Sequence, residues 1–139
     1  MREAETEPAM ATDEYWIVAR RRIGTYPAPT SRSGKWLVFV PNAQVDEIWE
    51  KIKSAVESGR LGDEARVSTN TPRRQVSNPD ERVICVYTYD CEDEDDRLRI
   101  REELRCLGVV ERIPYKSDAD TSAGKYRAYG HEHIGKYFE

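Results

Sequence analysis

Two histidines, three cysteines and several arginine and lysine clusters carry most of the chemistry open to this sequence. His131 and His133 stand two residues apart, a spacing that on a strand turns both imidazoles to one face, where they could share a metal. No third ligand follows at a metal-binding spacing and the segment is not HExxH, so no metal and no cofactor are expected. A histidine general base, if one exists, is one of these two. Cys85 and Cys106 fall beside apolar residues and read as small hydrophobes, while Cys91 sits among carboxylates, a poor setting for a nucleophile. The acidic run Asp90 to Asp96 lacks the glycine and the spaced glutamate of a calcium loop. It reads instead as acids that complement a helix N-terminus. Arg20-Arg21-Arg22 and Arg73-Arg74 are candidates for holding an anion. No GxSxG, P-loop or dinucleotide fingerprint is present.

Such side chains need elements to position them, and periodicity places those elements. Tyr15 to Val18 is a short β-favouring run, and Trp16 falls at a sheet margin. The prolines at 27 and 29 forbid a helix after it. Lys35 to Val40 is nearly continuously apolar and reads as a central strand, as does Arg82 to Tyr89. Between them Val45, Ile48, Trp49, Ile52 and Val56 recur at spacings of three and four, predicting a helix capped by Asn42 and closed by Gly59. Glu64 to Thr69 predicts a half-buried strand and Asn70 to Arg82 a mobile loop. The acidic run opens a second helix, with Leu98, Arg101, Leu104 and Leu107 on one side and Gly108 at its end. Val109 to Tyr115 and Tyr126 to Tyr129 read as further strands. Two helices are too few to cover both sides of a sheet, which predicts an α+β domain with a mixed or antiparallel sheet and both helices on one face.

The balance of 38% hydrophobic to 35% charged residues excludes a fully disordered chain, and no apolar run reaches the ~20 residues of a membrane span. Residues 1–13 read as a flexible acidic tail without signal-peptide character, and residues 14–139 as a single domain. Three cysteines without a CxxC pair fit a reducing, cytoplasmic setting. The net charge of −4 averages over separate acidic and basic clusters, so it excludes neither kind of binding face.

The segments SGKWLVFV, VDEIWEKI, SGRLG, VST, VICVYTYD and YKSDADTSAGKYR occur in that order, between Trp16 and about Arg127. In this the chain resembles the basophilic-leukaemia-expressed protein family, whose fold resembles that of the cap-binding translation initiation factor 4E. The resemblance implies a curved α+β sheet with two main helices on one face and brings no activity. A weaker similarity runs to bacterial phosphothreonine lyases, whose site uses a Lys-x-His strand, a second lysine as base and arginines on the phosphate. On that similarity Lys35 matches the lysine and Tyr126-Arg127 the phosphate-binding pair, while Leu37 replaces the acid histidine and Thr88-Tyr89-Asp90 offers no base lysine. It also implies that Lys35, after the turn Ser31 to Gly34, and Lys125, Tyr126 and Arg127, after the turn Thr121 to Gly124, converge on one phosphate. The function expected is therefore a non-catalytic module for a phosphorylated ligand (RNA, nucleotide or phosphopeptide) at Lys35, Lys125, Tyr126, Arg127, Arg73 and Arg74. A protein partner is a further expectation, and a phosphoester-acting enzyme is the alternative.

Overall fold

The computed structural model describes residues 16–68, 81–117 and 137–139. Within them six strands and two helices run in the order β1 (Trp16–Arg20), β2 (Gly34–Pro41), α1 (Val45–Glu57), β3 (Glu64–Ser68), β4 (Glu81–Thr88), α2 (Glu94–Cys106), β5 (Pro114–Ser117) and β6 (Tyr137–Phe138). The strands form one sheet in the order β1-β3-β4-β2-β5-β6. Every pairing is antiparallel. The α+β class and the one-faced arrangement match the expectation, and the mixed alternative falls away.

Strand periodicity sorts the sheet into two faces. Trp36, Val38 and Val40 of β2, Ile84 and Val86 of β4, Ala65 and Val67 of β3, and Tyr115 of β5 point to the core. Val45, Trp49, Ile52, Ala55 and Val56 of α1 pack on them, with Ile100 and Leu104 of α2. Each such valine, leucine or isoleucine side chain contributes about 1.5–3 kcal/mol through burial. The apolar stripe of α1 is the one its spacing predicts, and Gly59 closes that helix with φ of 82°. Its N-cap is Gln44, which makes no side-chain cap bond, so Asn42 does not cap it. The stripe of α2 is thinner and includes two buried arginines, Arg97 and Arg101. Here the acidic run acts as anticipated: Asp93 accepts from the Asp96 amide at 3.1 Å and caps the helix.

Three details depart from the sequence reading. Cys106 is exposed, because it lies on the outer side of α2. The strand placed at Val109 to Tyr115 instead spans Pro114–Ser117. Its predicted first half is bound otherwise, since the buried Arg101 guanidinium donates to the carbonyls of Val109 at 2.9 Å and Glu111 at 2.5 Å. Strand β6 carries no period for the sequence to show, being two residues long. The predicted loop at 70–82 and the strand at 126–129 lie outside the described residues, apart from Glu81 and Arg82, which belong to β4.

Candidate functional site

Residues of opposite parity line the face turned away from the helices. On β2 these are Lys35, Leu37 and Phe39, and Gly34 decides how they meet β5. A Cβ added at Gly34 would lie 2.4 Å from the Tyr115 hydroxyl, so glycine is what allows that ring to pack against β2. The register that results pairs Gly34 with Ser117, Lys35 with Lys116 and Trp36 with Tyr115. Lys35 and Lys116 therefore stand directly opposite each other on one face, the half-buried first beside the 3% exposed second.

Across the other edge of β2, Lys35 is in register with Tyr87 of β4. Its ammonium lies 5.7 Å from the Tyr87 ring centroid, and the Arg66 guanidinium of β3 lies 5.6 Å from the same ring. Arg66 also holds Glu64 at 2.6 Å, and this hydrogen bond raises its pKa further. Beside this row is a cleft of about 240 Å³, walled by Tyr26, Pro27 and Pro29 of the β1–β2 connection and by Glu64, Arg66, Tyr87 and Tyr89 of the sheet side.

The connection is tied down at both ends. Arg21 donates to the carbonyls of Leu61 at 2.8 Å and Ile23 at 3.2 Å and lies 5.3 Å from the Tyr26 centroid. The Tyr26 hydroxyl donates to Asp96 at 2.5 Å and accepts from the Tyr89 amide at 3.2 Å. Tyr89 meets Tyr26 edge-on at 5.5 Å and donates its own hydroxyl to Asp93. Arg32 forks onto Asp90, with contacts of 2.5 Å and 3.0 Å. Burial, then the Asp96 bond, pushes the Tyr26 pKa well above the phenol range, and the Asp93 bond with burial pushes Tyr89 up to about 12. Arg32 holds Asp90 below the usual carboxylate range, and Tyr89 does the same for Asp93. At neutral pH the lip thus presents protonated tyrosines and paired carboxylates.

Of the residues expected to bind, Lys35 lies in this site, and Lys125, Tyr126, Arg127, Arg73 and Arg74 fall outside the described residues, as do His131 and His133. The triplet Arg20 to Arg22 is not a single patch: Arg21 turns to Leu61, and Arg22 pairs with Glu57 at 3.5 Å. Leu37 lies two residues beyond Lys35 on the same face, and Asp90 is engaged by Arg32. Sequence reasoning missed Lys116, Arg66 and Tyr87. Strand parity gave a signal for the last two, which alternate with the core residues Ala65, Val67 and Val86. Among the described residues no group of histidine, cysteine and carboxylate side chains could hold a metal ion.

The family model described as basophilic leukemia-expressed protein Bles03 matches residues 27–124. Among solved structures, the chain is similar to a schistosome eIF4E complexed with m7GpppA and 4E-BP, at 20% identity and a TM-score of 0.59, over 78% of this chain and 59% of that one. It is also similar to C. elegans eIF4E-3 in complex with the 4E-binding protein Mextli and a cap analog, at 28% identity and a TM-score of 0.51, over 66% of this chain and 54% of that one. The chain thus spans between half and two thirds of the length of those structures, and the schistosome match is a likeness of fold.

Proposed function

We propose that this chain, which belongs to the Bles03 family, is a binding module that holds a phosphorylated ligand without converting it. The observation that carries the reading is the juxtaposition of Lys35 and Lys116 on one face, with Tyr87 and Arg66 alongside. Two lysines at paired positions on one face suit phosphate oxygens, and an adjoining cleft walled by tyrosines and prolines suits a flat ring. A nucleotide, free or at an RNA end, unites both features better than a phosphopeptide does. The related structures point the same way, since they hold m7GpppA and a cap analog. Their protein partners, 4E-BP and Mextli, motivate a protein partner for this chain as well. Arg73, Arg74, Lys125, Tyr126 and Arg127 are proposed to extend the cationic surface, and a cytoplasmic setting is proposed from the cysteine usage. Among the described residues no helix is long and apolar enough to cross a membrane.

Calorimetric titration of the purified chain with GTP and with a phosphothreonine peptide tests this. Saturable GTP binding is expected, with weaker peptide binding and no change in either compound. Lys35→Glu should weaken GTP binding, because a charge-assisted contact to phosphate is worth ~1.5–3 kcal/mol. Equal affinity of the variant and the parent would remove the site. Mass loss of phosphate from the peptide would favour the enzymatic alternative.

A further inference from the structure

The three residues Tyr137 to Glu139 are gripped more tightly than a two-residue strand requires. Arg101, fully buried in α2, donates from its Nε to the Glu139 carbonyl at 2.9 Å, in addition to its bonds to Val109 and Glu111. Ile113 and Glu139 exchange backbone bonds of 2.8 Å and 3.0 Å. The Arg97 guanidinium lies 3.7 Å from the Tyr137 ring centroid, and Arg112 donates to the Phe138 carbonyl at 2.9 Å while lying 4.5 Å from the Phe138 ring. Three arginines therefore act on three residues.

What lies beneath the grip is the cation pair. Tyr137 is in register with Tyr115, and their rings are 5.7 Å apart. Tyr115 touches the Trp36 ring at 5.1 Å, shares a 2.6 Å hydrogen bond with the Thr88 hydroxyl and fills the space left by Gly34. Lys116 is the next residue, and Lys35 lies between Gly34 and Trp36. Strand β5 is four residues long and meets β2 over only three register pairs, Gly34 with Ser117 to Trp36 with Tyr115. A ladder that short fixes register weakly by itself.

We infer that Tyr137 to Glu139 form a latch that holds β5, and hence Lys116, in register with Lys35, with Arg101 and Tyr137 as positioning residues for the ligand site. The inference rests on the proposed ligand site only for its effect on binding, since the holding of β5 has a readout of its own. Arg101→Lys removes the guanidinium fork while keeping the charge, and Tyr137→Ala removes the ring against Tyr115. Site-resolved amide hydrogen exchange on the full chain should show residues 115–117 opening at least about tenfold more often in either variant, with α1 and β3 unchanged. Arg112→Ala, on the surface, should fold in any case and raise the same exchange by a smaller factor, about threefold. Tripolyphosphate affinity should fall in step with the exchange. Unchanged exchange at 115–117, or a rise spread evenly over α1 and β3, would overturn the latch. Faster exchange at 115–117 with unchanged tripolyphosphate affinity would overturn the positioning role. A parent chain that binds no tripolyphosphate, with the local exchange effect intact, would support the latch and sink the ligand site instead.

Discussion

Tyr26 uses its hydroxyl twice, donating a hydrogen bond to Asp96 and accepting one from the Tyr89 amide, and so ties the β1–β2 connection to the start of α2. Tyr26→Phe keeps the ring and loses both bonds, one of them to a charge. The expected cost is about 1–2 kcal/mol by urea denaturation, with a looser cleft and weaker GTP binding. The titration of this lip has a definite sign. Asp90 and Asp93 have folded pKa values depressed by Arg32 and Tyr89, so their contribution is complete above the unfolded value near ~4 and is lost as pH falls through the depressed values. Tyr26 and Tyr89 are raised instead, so theirs is complete below ~10 and is lost as pH climbs through the folded values, about 12 for Tyr89. Urea midpoints measured across pH should therefore fall below pH ~4, and Asp93→Asn should flatten part of that acid limb. A limb unchanged in the variant would show that other carboxylates set it.

The elements divide by how much of their placement is local. Helix α1 and strands β2 and β4 were legible because their stripes are long: Val45, Trp49, Ile52 and Val56 repeat at helical spacing, and Trp36 to Val40 run through the middle of the sheet. Lys35 was legible as a strand-end lysine after a glycine turn. Its partner Lys116 was not, because β5 is short and the carbonyls just before it are captured by the Arg101 side chain, a contact that no periodicity encodes. The helical period placed Arg101 on the inner side of α2, but nothing in the period says which carbonyls it reaches. Gly34 tests the element scale directly. In Gly34→Ala the new methyl meets the Tyr115 hydroxyl at 2.4 Å, with Trp36 and Thr88 behind that ring. Overpacking of this kind costs ~1–3 kcal/mol, and urea denaturation should find that loss together with weaker GTP binding as β2 and β5 separate. A neutral substitution would mean that Tyr115 can swing away without moving Lys116.

At the scale of the whole molecule the charge looks wrong for a ligand that carries phosphates, since the net is −4 and the pI about 5.4. Much of the acid lies off the face in question, and Glu64, which walls the cleft, is held there by Arg66 at 2.6 Å. Glu94, Asp95 and Asp96 lie at the start of α2 on the helical layer, and Glu47 and Glu50 lie on α1. Lys35, Lys116 and Arg66 share the opposite face of the sheet. The sheet thus sets the acidic start of α2 a layer away from Lys35 and Lys116, and at physiological salt, with a Debye length near 8 Å, the two act largely independently. A phosphorylated ligand then meets a local cationic row with little long-range attraction behind it. For single-stranded RNA this gives a quantitative expectation. Each neutralised phosphate contributes a slope of about −0.7 to the logarithm of affinity against the logarithm of salt, so two or three contacts at Lys35, Lys116 and Arg66 give about −1.4 to −2.1. Cations at Arg73, Arg74, Lys125 and Arg127, if they join the same face, would steepen it by a similar step each. Titrations of a short oligoribonucleotide over a range of salt would measure the slope, and Lys35→Gln should make it shallower by about 0.7. A slope near zero in the parent chain would leave RNA without phosphate contacts here and would exclude it as the ligand. A slope that Lys35→Gln does not change would place the phosphates on some other face.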